Sequence, residues 1–169
     1  MSRTVTASLR RELEKQESAE ALICFVTISH PDLSTVIRVV SDPYDHTWNS
    51  NTYTGVMFDW QMVTDNDRPP STRFVVQNVD RIVGKYVRPL TKPPRVQIDL
   101  LKASDFNNTV DPRTPIGSPS AEYTAERLFM FNVEGNTLDV SAELRGWDFT
   151  QEIWPGNRAT ESNFPGLYA

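Results

Sequence analysis

The chain of 169 residues has one cysteine, Cys24, and two histidines, His30 and His46. A single cysteine excludes an internal disulfide and any cysteine metal cluster. The histidines sit beside prolines or aspartates in turn-like contexts. Asp32, Asp42 or Asp45 could join them around a metal, but no zinc-ligand spacing is present. Both are therefore expected as solvated turn residues, and Cys24, inside an apolar run, as a small hydrophobe. Seven glycines are few and scattered, so there is no glycine-rich phosphate loop. No apolar run approaches the ~20 residues of a membrane helix, which excludes insertion by a helix. The first sixteen residues, MSRTVTASLRRELEKQ, are charged and lack the apolar centre of a secretory signal. This start implies a protein kept in, or packaged from, a cytoplasm.

What is present is proline and charge. Eight of the twelve prolines crowd into residues 69–119, and 22 acidic residues outnumber 17 basic ones. The charge is unevenly spread. Residues 68–102 hold eight basic residues and two acidic ones, a net +6, whereas the rest holds nine and twenty, a net −11. A positive middle in a negative chain suits self-complementary assembly. Arg73, Arg81, Lys85, Arg88, Lys92 and Arg95 are thus candidate subunit-interface residues.

The same stretch predicts strand, short helix, strand. Residues 71–79 are β-rich, Asp80 is a fitting N-cap, and Ile82, Val83, Tyr86, Val87 and Leu90 form a helical apolar stripe. Val96, Ile98 and Leu100 then alternate with Arg95, Gln97 and Asp99 as a half-buried strand. Ahead of it, Val5, Leu9 and Leu13 mark an N-terminal helix over residues 4–16. Residues 21–28, ALICFVTI, read as a strand covered on both faces, returning over 35–40 after His30-Pro31-Asp32. Asn49-Ser50-Asn51 is a turn, and Val56, Phe58, Trp60 and Met62 alternate as another half-buried strand.

Phe129, Phe131 and Val133 alternate into Gly135-Asn136, a tight hairpin dipeptide, and Leu138, Val140, Ala142 and Leu144 alternate out. Residues 103–120, with Pro112, Pro115, Gly117 and Pro119, carry almost no periodic pattern, and so long a loop is functional or disordered as a rule. The tail, 147–169, is rich in large apolar groups that must dock; Phe164, Leu167 and Tyr168 are candidate interface residues. The expectation is one domain, 1–169, mainly β, a barrel or sandwich with an N-terminal and a short central helix.

Chemistry is hard to find. Glu122 and Glu126, or Glu12 and Glu14, could be paired carboxylates, but nothing fixes the separation of roughly 5–10 Å that glycoside hydrolysis needs. The basic positions fall on several faces with only Phe74 and Tyr86 among them, a poor pattern for gripping nucleic acid. Trp48, Trp60, Trp147 and Trp154 could stack on sugars, with Trp60 better placed as core. No enzyme and no cofactor is expected.

The order of features is also similar to a known group. A helix ending in ESAEA, the strand ALICFVTISHPDL, the hairpin NTYTG, the segment RPPSTRFVVQNVDRIV and the tail NFPGLY together resemble a family of small bacteriophage tail proteins. They also resemble the N-terminal part of the tail-tip hub protein of lambda-like siphophages. The resemblance implies a β-barrel of tail-tube type and a non-enzymatic virion part at the tail tip, assembled in the host cytoplasm. It implies a homo-oligomeric ring, a trimer, between a distal tail ring protein and a central fibre or spike protein, with the tape measure protein nearby. The lambda-like hub continues into a cysteine-rich domain with an iron–sulfur cluster, and with Cys24 alone no cluster is expected here. DNA would pass through such a ring without specific binding, so Asp59, Asp65 and Asp67 are candidate lumen-facing residues that keep a polyanion sliding. Another tail-junction ring protein, at the distal tail or tail terminus, and a carbohydrate- or cell-wall-binding module are the alternatives.

Overall fold

The computed structural model describes residues 7–15, 17–18, 20–61, 71–77, 92–136, 139–146 and 166. A short helix, α1 (Ala7–Leu13), precedes a chain that is otherwise mainly β. The strands are β1 (Leu22–Ser29), β2 (Ile37–Val40), β3 (His46–Trp48), β4 (Asn51–Gly55), β5 (Phe58–Trp60), β6 (Ser71–Gln77) and β7 (Arg95–Lys102). Then come β8 (Phe106–Asn107), β9 (Thr114–Pro115), β10 (Tyr123–Gly135) and β11 (Asp139–Gly146). All but β8 and β9 join one nine-stranded sheet in the order β3-β4-β2-β1-β7-β10-β11-β6-β5.

The two flanks of that sheet are the same piece of chain. β4 lies parallel to β2, with Val39 opposite Thr54, while β5 lies antiparallel to β6, with Phe58 opposite Val76. Only Val56 and Met57 separate β4 from β5. The Val56 N–H donates to the Val40 carbonyl (3.0 Å), and the Gln77 N–H donates to that of Met57 (3.3 Å). Residues 51–60 therefore join both margins and roll the sheet into a barrel, which leaves few open edges to pair with other chains.

One apolar cluster fills the interior. Alternate residues point inward from every wall: Cys24, Val26 and Ile28 of β1, Val96, Ile98 and Leu100 of β7, Phe74 and Val76 of β6, and Val140, Ala142 and Leu144 of β11. The period of two in each strand is what makes this possible. The run ALICFVTI does not alternate, and the structure gives the reason. Ile23 and Phe25 enter a second cluster outside the barrel, with Val40, Trp48, Tyr53, Leu101 and Phe106. β1 is covered on both faces, as its composition requires.

Where the closing segment passes the 42–44 corner there is no room for a side chain. A Cβ on Gly55 would lie 2.6 Å from the Asp42 carbonyl oxygen and 2.7 Å from that of Tyr44. Both are backbone atoms and cannot swing aside. Gly55→Ala is expected to destabilise by about 1–3 kcal/mol, the usual cost of overpacking. Urea unfolding checks this; an unchanged midpoint would mean that the corner yields.

Several expectations need correcting. β7 alternates as a half-buried strand over its first four residues only: beyond them Asp99 is 2% exposed and Leu101 is fully buried in the second cluster. Residues 103–120 are neither a bare loop nor disordered. They form a 3-10 turn (Ala103–Asp105) and the β8–β9 hairpin, with a cis Asp111–Pro112 peptide bond, and Phe106 anchors them in the second cluster. The turn at 49–51 is as expected, with positive φ at Asn49 (47°) and Ser50 (61°), the geometry of a tight hairpin. The later hairpin closes beyond Gly135-Asn136. Gly135 pairs with Val140, and Asn136 bonds Asp139 through its own N–H (2.9 Å) and its Oδ1 (2.6 Å).

The helix over residues 4–16 is confined to Ala7–Leu13 among the described residues. The central helix over 82–90 and the tail 147–169, apart from Gly166, lie outside the described residues, as do Asp65, Asp67, Arg81, Lys85, Arg88, Phe164, Leu167 and Tyr168.

Candidate functional site

Two surfaces stand out. The first is the outer wall of β7, β10, β11 and β6. Sheet register sets its rows: Arg95, Phe129, Arg145 and Ser71 across one, and Phe131, Glu143 and Arg73 across the next. Arg73 and Arg95, both exposed, come to the same wall although 22 positions separate them. Neither has an ion-pair partner among the described residues. Arg145 sits between them, bonded to Glu143 (Nε to Oε1 2.6 Å, Nη2 to Oε2 2.5 Å) and 5.9 Å from the Phe131 ring centre. Those hydrogen bonds hold the Glu143 carboxyl below its usual range. Lys92 is exposed just ahead of β7.

The phenylalanines of the Phe129, Phe131, Val133 alternation do not fill the core. Leu128 and Met130 are buried there instead, while Phe131 is 36% exposed. The cause is a pair of β-bulges in β10, between Ala125 and Leu128 and between Phe131 and Glu134. Arg127 (φ 62°) and Asn132 (φ 50°) take left-handed backbone there. Each bulge shifts the side-chain phase by one, which exchanges inner and outer faces. Val133 packs against the interior again after the second bulge.

The second surface is the finger formed by residues 106–116, laid over β1 and β3. Phe106 stacks on Phe25 at 5.5 Å between ring centres, and His46 meets both rings edge-on at 4.8 and 5.6 Å. Arg113 ties the finger down. Its N–H donates to the Asp45 carbonyl (2.7 Å), its carbonyl accepts the Thr47 N–H (2.8 Å), and its guanidinium pairs with Asp42 (2.8 Å). Val110 (41%) and Ile116 (61%) are left exposed.

His46 is thus no solvated turn residue: it lies in β3, fully buried, with neither ring nitrogen hydrogen-bonded. Its Nε2 is 3.6 Å from Asp42 Oδ2. Burial depresses its pKa against the pull of the Asp42 charge, and the Arg113 charge adds to the depression. His30 is in a turn as expected, but its side chain is only 5% exposed and its Nδ1 accepts the Asp32 N–H (3.0 Å). Neither site was legible in sequence, since Phe25, Phe106 and Arg113 reach His46 only through the topology.

The remaining candidates for chemistry do not converge. Glu122 is buried and pairs with Lys102 (2.8 Å), whereas Glu126 is exposed. The Cys24 thiol is buried, and desolvation pushes its pKa up. Trp48 is buried, its indole N–H donating to the Pro119 carbonyl (3.4 Å), so it offers no stacking face. Asp59 is exposed opposite Val75, on the outer side of the barrel. No group of three or more His, Cys, Asp or Glu side chains among the described residues could hold a metal ion. No helix among them is long and apolar enough to cross a membrane.

Among the described residues, Asp99 is the one buried acid without a basic partner. It accepts from Thr124 Oγ1 (2.8 Å) and Gln97 Nε2 (2.9 Å), yet burial still raises its pKa. A carboxyl raised in the fold favours stability below its unfolded value and costs stability above it. Asp99→Asn is expected to raise stability at pH 7 by about 1 kcal/mol, with the gain shrinking towards pH 4. Denaturant melts at the two pH values check the sign; a loss at pH 7 would mean that the charge is needed.

These features define a mainly β barrel domain with a basic aromatic wall and a fixed finger. The sequence matches the family described as a domain of unknown function (DUF1833) over residues 8–159, and the chain belongs to that family. No curated protein matches it.

Proposed function

We propose that this protein is a structural subunit of a bacteriophage tail tip, a hub ring joining the tail tube to the central fibre or spike. On this reading the barrel is of the tail-tube and hub type, and the protein works by contact rather than by catalysis. Its partners are other copies of itself in a three-fold ring, a distal tail ring protein above, and the central fibre or spike and the tape measure protein. It takes no cofactor and binds no specific nucleic acid. The sequence resemblance suggests the virion setting. The observation that carries an assembly role is the wall itself: Arg73, Arg95 and Arg145 beside an exposed Phe131. Arg and aromatic side chains are the groups enriched at protein interfaces, and Arg73 and Arg95, without an ion-pair partner among the described residues, favour an acidic partner surface.

On this reading Asp59, exposed beside this wall, lines the channel. A carbohydrate-binding role has less support, since Trp48 is taken up in the second cluster.

Native mass spectrometry of the full chain, together with images of the phage particle labelled for this subunit, tests the proposal. Three copies per ring at the tail tip are expected. Six copies would favour a distal-tail or terminator ring, and absence from the particle would end the virion reading. Arg73→Glu with Arg95→Glu should weaken self-association at least tenfold, about 1.4 kcal/mol, while leaving the thermal midpoint of the monomer unchanged.

A further inference from the structure

We infer that the finger of one copy, residues 106–116, docks on the β6–β11–β10 wall of the next copy, an inference that rests on the assembly reading above. Three observations lead to it. First, the finger presents Val110 and Ile116 to solvent on a backbone held at both ends. The Ile116 N–H donates to the Asp105 carbonyl (2.7 Å), and Arg113 is fixed at three points. Apolar groups on a rigid support lose little conformational entropy on binding. Second, the charges match. Arg113 is neutralised within its own copy by Asp42, which leaves Asp111 as the charge of the exposed tip; the facing wall offers Arg73 and Arg95.

Third, the two surfaces are separate within one molecule. The finger is anchored over Phe25 and Leu101 of β1 and β7, whereas Phe131 and Arg73 lie farther along the sheet on β10 and β6. A contact between different faces of successive copies is head-to-tail, the kind that closes a ring when the rotation permits. Phe131 is then the central anchor, with Val110 or Ile116 against its ring and Asp111 near Arg73. A pair of apolar anchors ringed by charges is the usual plan of a specific contact.

The test uses two full-length variants, Val110→Cys and Phe131→Cys. Both positions are exposed and Cys24 is buried, so a short bismaleimide reads only the new thiols. Mixed together, the variants should cross-link at least tenfold more than either alone. A second measurement needs no cysteine: Asp111→Lys and Arg73→Glu should each weaken association at least tenfold, and the double variant carrying both should recover it. Cross-linking of Phe131→Cys copies to one another would show a two-fold contact and overturn the inference. Multimers that form without the mixed cross-link would overturn the inference while leaving the ring reading intact. A chain that stays monomeric at every concentration would overturn both.

Discussion

Phe25→Ala is expected to destabilise the protein by about 3–5 kcal/mol, the range for deleting a buried aromatic side chain. Phe25 is fully buried at the middle of β1, between β2 and β7. Its ring touches four others: His46, Trp48, Tyr53 and Phe106, with centres 5.0–5.6 Å away. It links the β3–β4 hairpin, the finger and the barrel wall at one point. The four rings project from three separate segments, so they cannot collapse together into the space left behind. The loss should therefore lie near the top of that range. A chemical-denaturation curve measures the total. Hydrogen exchange should show a second effect, faster exchange at the Thr47 and Arg113 amides, whose bonds hold the finger down. A loss below about 1 kcal/mol would mean that the second cluster is dispensable and that the finger is held by Arg113 alone.

The same cluster explains what the sequence could and could not reveal. β1 was legible because ALICFVTI breaks alternation, and a strand without a polar face needs cover on both sides. β6, β7 and β11 were legible from their period of two. β10 was legible as a strand entering a hairpin, but RLFMFNV is apolar at successive positions and periodicity alone cannot say which phase faces inward. Two bulges at non-glycine residues decide it, and neither Arg127 nor Asn132 advertises a bulge. The finger was invisible for a different reason. Its backbone groups bond to distant partners rather than to a repeating neighbour, so no period arises. Asp42 and Arg113 are 71 positions apart, and their pairing is a product of the fold. Of the proposed assembly residues, alternation could have placed Arg73 and Arg95 outward on their strands. That both face the same wall required β10 and β11 to lie between them.

Arg113→Met is the substitution whose effect should depend most on pH. Arg113 and Asp42 are 16% and 13% exposed, and removing one partner of so enclosed a pair costs about 3–5 kcal/mol. His46 modulates that cost. In the native protein its pKa is depressed, chiefly by burial, and among the charged groups around it Asp42 and Asp45 oppose the depression while Arg113 adds to it. A histidine depressed in the fold contributes stability that is fully present above its ordinary value near 6.5 and is lost as pH falls below it. The native protein should thus weaken on acidification by up to about 1.4 kcal/mol per pH unit from this group. Without Arg113 both electrostatic changes act the other way. The repulsion is gone, and an unpaired Asp42 carboxylate stands 3.6 Å from the imidazole, ready to pair with its charged form. The variant should lose its full 3–5 kcal/mol at pH 8 and about 1 kcal/mol less at pH 6. Asp99 titrates alike in both proteins and cancels from the difference. Paired urea melts at the two pH values measure it. A difference independent of pH would show that His46 does not sense Arg113, and His46→Phe in the native background should abolish the acid-side loss.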